Sequence, residues 1–308
     1  MYLARVSPVR ISLVSVALAA AALPAGAQLQ NLDEQLKTTQ IRPEKIADNF
    51  YVLFGVGGNI VVSIGETGTL IVDAQFPEMV PRYKAKIGEL GGGKIDFLIN
   101  THGHFDHADG NKVLGPEGTW IVAHENARQM MMKHITVNLV STQRDQPAYP
   151  KEAWPVETYD RSMRLYFNGE RIDLMNFGPA HTAGDTAVLF RTHNLVHMGD
   201  VYNNAGYPFI DVDNGGSLNG VIEFCSNVLK ELNAQSIVVP GHGPVAKYQD
   251  LVDFVAMLTT IRDRMSALIK TGATLEQVTA AKLTAEWDAK KGDPASFLNR
   301  AYTSLSKK

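Results

Sequence analysis

From Thr101 to His107 the chain reads Thr-His-Gly-His-Phe-Asp-His, which puts three imidazoles and a carboxylate within six residues. This segment follows directly on an apolar run, Ile95 to Asn100. On an extended chain, side chains two apart project the same way, so His102 and His104 can grip one cation together. Asp106 and His107 are adjacent, point differently, and can serve a second cation beside the first. Gly103 keeps the backbone between the two histidines unhindered. A single histidine says little, since most are surface or core residues, but four donors at this spacing say a great deal. They require a fold in which a strand ends in a loop, the loop enters a helix near Ala108-Asp109-Gly110-Asn111, and further donors arrive from elsewhere.

Three later positions offer those donors, each at the end of an apolar run: His181 in Phe177-Gly178-Pro179-Ala180-His181-Thr182, Asp200 after Leu195 to Gly199, and His242 in Pro240-Gly241-His242-Gly243-Pro244. Sites assembled at strand ends are a common solution for packed sheets. Imidazole with carboxylate suits zinc and leaves room for iron or manganese.

Apolar segments separated by glycine turns predict an antiparallel meander over 50–54, 59–64 and 69–74. A helix is expected over 79–90, stopped by Gly91-Gly92-Gly93, and then the strand 95–100. A strand over 119–123 and a helix over 124–133 follow. The stretch 140–156 carries Pro147, Pro150 and Pro155 without a period and reads as a long irregular loop. A second batch of strands is expected at 163–167, 171–177, 186–192 and 195–198, then a helix over 218–232, a strand over 236–239, and helix from 245 onward. Two batches of strands, each closed by helices, suggest two packed sheets with helices outside.

The sequence resembles the metallo-β-lactamase superfamily in THGHFDH, in the histidine of GPAHTAGD, in the aspartate of HMGD and in the histidine of PGHGP. These occur in the family's order, and the resemblance spans about 49–245. It implies a four-layer αββα sandwich of two mixed β-sheets flanked by helices. It also implies two zinc ions per chain, the first held by His102, His104 and His181, the second by Asp106, His107 and His242, with Asp200 between them. Asp106 would then be the catalytic residue that orients the nucleophile and shuttles a proton. In one large group of true β-lactamases the position of Asp200 is a cysteine. Aspartate there resembles the glyoxalase II, lactonase and ribonuclease Z branches, which weakens the case for a β-lactam as the natural substrate. The reading is a dinuclear hydrolase acting on a cyclic amide or ester. The alternatives are a mononuclear iron enzyme of the persulfide dioxygenase kind, a thioester hydrolase of the glyoxalase II type, and a non-catalytic metal-binding protein.

Composition narrows the setting. Residues 1–27 carry Arg5 and Arg10, the apolar run Ile11 to Leu23, and Ala25-Gly26-Ala27, which is the pattern of a cleavable signal peptide. The run falls short of the ~20 apolar residues that span a bilayer, so no stable membrane insertion is expected. The remainder, from Gln28, carries 27 basic and 32 acidic side chains and offers no basic face for nucleic acid. Glyoxalase II is usually intracellular, so export argues against that branch, and the acidic balance argues against the nuclease branch. A small-molecule substrate and a periplasmic or secreted location are expected. The domain reading is 1–27 signal, 28–245 catalytic domain and 246–308 a helical extension packed on it. Cys225 is the only cysteine, so no internal disulfide is available, and its helical setting reads as a small buried apolar residue.

The remaining histidines, His124, His134, His193 and His197, read as structural, with His197 a candidate partner behind the ligands. The segment 201–217 follows Asp200 and is rich in turn formers and aromatics. Tyr202, Asn204 and Tyr207 are its candidate substrate contacts. Phe254, Met257 and Ile261 form a helical stripe that reads as core.

Overall fold

A computed structural model describes residues 31–307; the expected signal segment 1–27 lies outside them. The first half of the chain runs α1 (Leu32–Thr38), β1 (Arg42–Ala47), β2 (Phe50–Phe54), β3 (Ile60–Gly65), β4 (Gly68–Val72), α2 (Val80–Glu89), β5 (Ile95–Ile99), α3 (Phe105–Ala108), α4 (Asn111–Leu114), β6 (Trp120–His124), α5 (Glu125–Met131), β7 (Ile135–Asn138), β8 (Gln143–Gln146) and β9 (Glu157–Tyr159). The second half runs β10 (Ser162–Phe167), β11 (Glu170–Met175), β12 (Ala187–Phe190), β13 (Leu195–His197), α6 (Leu218–Lys230), β14 (Ile237–Val239), β15 (Ala246–Lys247), α7 (Tyr248–Lys270), α8 (Leu275–Ala280), α9 (Ala285–Lys291) and α10 (Ala295–Ser306).

Each batch of strands makes one sheet. The first sheet is ordered β1-β2-β3-β4-β5-β6-β9 and the second β10-β11-β12-β13-β14-β15. Both are mixed. In the first, β1 to β4 are antiparallel and β4-β5-β6-β9 parallel; in the second, only β13 and β14 run parallel. Between the sheets lies one apolar layer, in which Val52, Val61, Leu70, Val72 and Ile99 meet Ile172, Leu174, Val188, Phe190 and Val239. Strands buried on both faces explain why Leu70-Ile71-Val72 reads as a continuous apolar run rather than an alternating one.

Outside the first sheet, α2 buries Val80, Tyr83 and Ile87 against it. Outside the second, α6, α7 and α10 pack as one layer with Phe224, Cys225, Phe254, Ile261 and Leu298. The fold is therefore the expected αββα sandwich. Each fully buried side chain of this size contributes roughly 1.5–3 kcal/mol. Cys225 sits within the outer layer, and its burial pushes the thiol well above its ordinary range. Among the described residues, no helix is long and apolar enough to cross a membrane.

Two expectations need correction. The segment 140–156 is not wholly irregular, because Gln143–Gln146 pairs antiparallel with Ile135–Asn138 as a separate two-stranded hairpin. Its first strand alternates, with Val137 and, just past the strand, Leu139 buried and Ile135 packed beside them, but its second, Gln143–Gln146, is wholly polar, so the pairing is not announced. The first sheet also begins one strand earlier, at Arg42–Ala47, an exposed polar edge carrying Pro43.

Candidate metal centre

Strand β5 delivers the chain into the histidine segment. Thr101 and His102 leave its end, His104 stands before the short helix α3, and Asp106 and His107 lie in that helix. Strand β13 delivers Asp200, and β14 runs parallel beside it to deliver His242. His181 comes from the turn before β12. All seven residues converge. Their donor atoms form three groups, each within 4.8 Å: His102, His104 and His181; Asp106, His107 and His242; and His102, His107 and Asp200.

Two glycines make the approach possible. A Cβ at Gly58 would lie 2.1 Å from the His107 ring, and one at Gly241 would lie 2.0 Å from Asp200 Oδ1. Only hydrogen fits at either position. Gly57-Gly58 is thus both a turn and a seat for a ligand.

Hydrogen bonds from behind decide which nitrogen faces inward. His107 Nδ1 donates to Asp73 Oδ2 at 2.7 Å, and His181 Nδ1 donates to the Phe209 carbonyl at 2.8 Å. Thr101 Oγ1 donates to Asp73 and receives His102 Nδ1 at 3.0 Å. His104 is turned the other way: its Nε2 donates to Asp211 Oδ2 at 2.8 Å. The inward atoms are therefore Nε2 of His102, His107 and His181, and Nδ1 of His104, each with its lone pair free.

The lone pairs of His102, His104 and His181 meet no donor. His181 Nε2 faces His104 Nδ1 at 2.8 Å, and His102 Nε2 is buried with no hydrogen-bond partner among the described residues. Acceptors pressed against acceptors are stable only around a cation, so this donor set fits a divalent metal ion.

The ligands differ electrostatically. Burial, reinforced by neighbouring imidazoles, pushes His102 and His181 below the ordinary histidine range, whereas on His104 burial is outweighed by Asp211, which pushes it up. Burial also opposes charge on His107 and His242, but Asp200 and Asp106 outweigh it and push both up. The same contacts hold the Asp106 and Asp200 carboxyls below the carboxylate range, against the effect of their own burial. A field that draws a proton to this side draws a divalent cation more strongly.

Above the cluster opens a cavity of about 250 Å³. His104, Asp106, Asp200 and His242 lie on its floor. Its walls come from Leu32 on α1, Phe76, Phe105, Val137 and Leu139 at the hairpin, Phe209, and Lys291 to Phe297 near the C-terminus. Of the expected substrate contacts, only Tyr207 lines it. Its ring stacks on Phe297 at 5.2 Å, and its hydroxyl donates to Asp288 Oδ1 at 2.8 Å. Tyr202 points the other way, buried edge-on against Phe254 in the outer helical layer, because Val201-Tyr202 belongs to the core under α7. Asn204 turns its amide to the Pro244 carbonyl and pins the loop that follows His242.

Sequence reasoning missed Asp73 and Asp211 behind the ligands. Asp73 had a signal, a lone aspartate closing the apolar run Leu70-Ile71-Val72; Asp211, in a turn-rich stretch, had none. His197 is buried and hydrogen-bonds backbone, its Nε2 donating to the Asn59 carbonyl at 2.9 Å and its Nδ1 accepting from the Gly199 N–H at 3.1 Å. His124 caps α5 by accepting from Asn126, and His193 meets Glu170. His134 is exposed and faces Asp145 at 3.4 Å, away from the cluster.

Comparison with known proteins gives a family match. The model described as the metallo-beta-lactamase superfamily matches residues 53–259. A probable metallo-hydrolase of Methanocaldococcus jannaschii is 24% identical over 204 residues, 65% of this chain and 89% of that protein. The alpha subunit of a 2,4-dinitroanisole O-demethylase from Nocardioides sp. (strain JS1661) is 26% identical over 149 residues, 47% of this chain. The alignment spans only 42% of that subunit's length. Among solved structures, the DIM-1 metallo-beta-lactamase superposes with a TM-score of 0.56 at 18% identity, covering 72% of this chain and 98% of that one.

Proposed function

Since the chain belongs to the metallo-beta-lactamase superfamily, we propose that it is a hydrolase that works with two zinc ions and opens a strained or activated cyclic amide or ester, such as a β-lactam or a lactone. One observation carries the two-cation reading. Asp200 Oδ1 stands 3.1 Å from His107 Nε2 and 3.4 Å from His242 Nε2, while its Oδ2 stands 3.8 Å from His181 Nε2. A single carboxylate thus reaches both three-donor groups. A single-iron oxygenase needs fewer donors, so the fully converged second group supports the two-cation reading. The name of the archaeal relative, a probable metallo-hydrolase, supports the reaction class.

When bound, such cations supply Lewis acidity toward a carbonyl oxygen and lower the pKa of water to about 7. The rest of the chemistry belongs to side chains. Asp106 lies at the cavity floor with Oδ2 held 3.2 Å from His242 Nε2. That contact aims the carboxylate, which receives a proton from the attacking water and passes it to the departing nitrogen or oxygen. Asp73 and Asp211 lock the imidazoles so that no reorganisation accompanies the reaction. Phe76, Phe105 and Phe209 line the cavity with apolar surface, where charge interactions are stronger than in water.

The test is a hydrolysis panel of β-lactams, lactones, thioesters and phosphodiesters on zinc-loaded protein of measured metal content. Turnover of a cyclic amide or ester at two zinc ions per chain is the expected result. Protein that holds both ions and opens no carbonyl substrate overturns the proposal.

A further inference from the structure

Residues 209–216 form a loop, tightened by one 3-10 turn at Val212–Asn214, that lies behind the first donor group. The Phe209 carbonyl takes His181 Nδ1, and the Asp211 carboxylate takes His104 Nε2, each at 2.8 Å. The loop also grips the His181 backbone. The Asp211 N–H donates to the His181 carbonyl at 3.0 Å, and a Cβ at Gly216 would stand 2.2 Å from that same oxygen. Two of the three first-group imidazoles are therefore aimed from this one loop. His107, in the second group, takes its aim from Asp73 instead.

The loop is itself held from the C-terminal helix α10. Arg300 on that helix is only 3% exposed. Its Nε donates at 3.3 Å to the carbonyl of Ile210, the residue between Phe209 and Asp211, and its Nη2 donates to Asp213 Oδ2 at 2.7 Å. Lys307, at the end of the same helix, donates to the Val212 carbonyl at 3.0 Å. Docking the helix does not call for a buried guanidinium, which is costly to desolvate and which an apolar side chain of similar volume often replaces without loss. Phe297, Leu298 and Ala301 already supply that apolar packing. What only arginine adds is a planar fork that reaches two points of one loop at once.

We propose that Arg300 is a positioning residue for the first donor group. Acting through Ile210 and Asp213, it fixes the loop whose carbonyl and carboxylate aim His181 and His104. A helix some fifty residues beyond the last donor, His242, thereby sets the geometry of one cation and not of the other. The inference needs a cation in the first group and no particular reaction, so it stands apart from the hydrolase reading.

The test reads ring N–H groups by NMR of the zinc-loaded full chain, labelled with heavy nitrogen at histidine. His104 Nε2–H and His181 Nδ1–H report on the loop, and His107 Nδ1–H is the internal reference. Arg300→Met keeps the bulk and loses the fork. It is expected to speed solvent exchange at His104 and His181 roughly tenfold, the scale of one charged hydrogen bond, and to leave His107 unchanged. In chelator competition, one zinc ion of the two is expected to be held about tenfold more weakly. Asp213→Asn removes one anchor from a half-exposed position and is expected to move the same pair of rings by a smaller factor. It decides the matter alone if Arg300→Met does not fold. Equal acceleration at all three rings marks general loosening and overturns the inference; so does a folded variant with no acceleration. Selective exchange in protein that opens no carbonyl substrate sinks the hydrolase reading alone. Hydrolysis with unselective exchange sinks the role of Arg300 alone.

Discussion

Asp73 accepts a hydrogen bond from His107 Nδ1 at 2.7 Å, with both side chains sealed from solvent. The same carboxylate takes the backbone N–H and the hydroxyl of Thr101, each at 2.8 Å, and that hydroxyl receives His102. One aspartate therefore aims a ligand in each three-donor group. Outer partners of this kind typically change metal affinity 10–100-fold. Asp73 also sits at φ 66°, which asparagine tolerates well. Asp73→Asn is expected to fold and to lose roughly that factor in zinc affinity, measured by competition with a chelator. Unchanged affinity would mean that packing alone orients the rings.

Asp106→Asn keeps shape and an oxygen donor but removes the charge and the proton acceptor. General acid–base groups contribute ~10²–10⁴-fold in rate, and kcat is expected to fall within that range while the fold survives. Zinc content measured in parallel separates lost metal from lost chemistry. Near-normal turnover with both ions bound would reduce Asp106 to a ligand.

His102 and His242 belong to different donor groups. Each change to alanine is expected to weaken one ion preferentially, so that zinc per chain falls from about two toward one under mild chelation. Full retention of both ions by His102→Ala would break the assignment.

On β11, Asp173 receives Arg171, Arg191 and Arg164 at 2.8–3.1 Å. Its partial burial works against ionisation, but the three guanidinium groups prevail and hold its carboxyl at about 2. That is below the ordinary ~3.9 of an unfolded aspartate, so ionised Asp173 stabilises the fold above pH ~4 and the contribution disappears as pH falls through about 2. Asp173→Asn is expected to lower Tm at pH 7, with the gap to wild type narrowing in acid. A gap independent of pH would mean that the loss is not electrostatic.

Export is the fifth expectation. We propose that Arg5, Arg10, the apolar run and Ala25-Gly26-Ala27 act as a cleavable signal, in which case sequencing of protein from a bacterial envelope fraction should begin at Gln28. Intact Met1 in the cytoplasm would contradict it.

Much of the site was legible because metal chemistry restricts residue types and one loop must supply several donors in order, as Thr101 to His107 does. The buried strands were legible because a strand covered on both faces has to be apolar. Legibility failed where neither constraint acts. The hairpin 135–146 escaped notice because its second strand, Gln143–Gln146, is wholly polar and resembles a loop, although Ile135, Val137 and Leu139 pack on the core. Tyr202 follows an aspartate ligand and reads as a site residue, but its direction was set by Phe254, 52 positions later.

The cavity walls have one more consequence. Leu32, Val137, Leu139, Lys291 and Phe297 shape the pocket, and none belongs to the seven-residue donor cluster. They come from three stretches of chain that are separate from one another and from the donors. Mutational drift in any of these can alter which molecules enter while the cations stay where they are. A lineage built this way can exchange one substrate for another by small steps, without passing through an inactive ancestor.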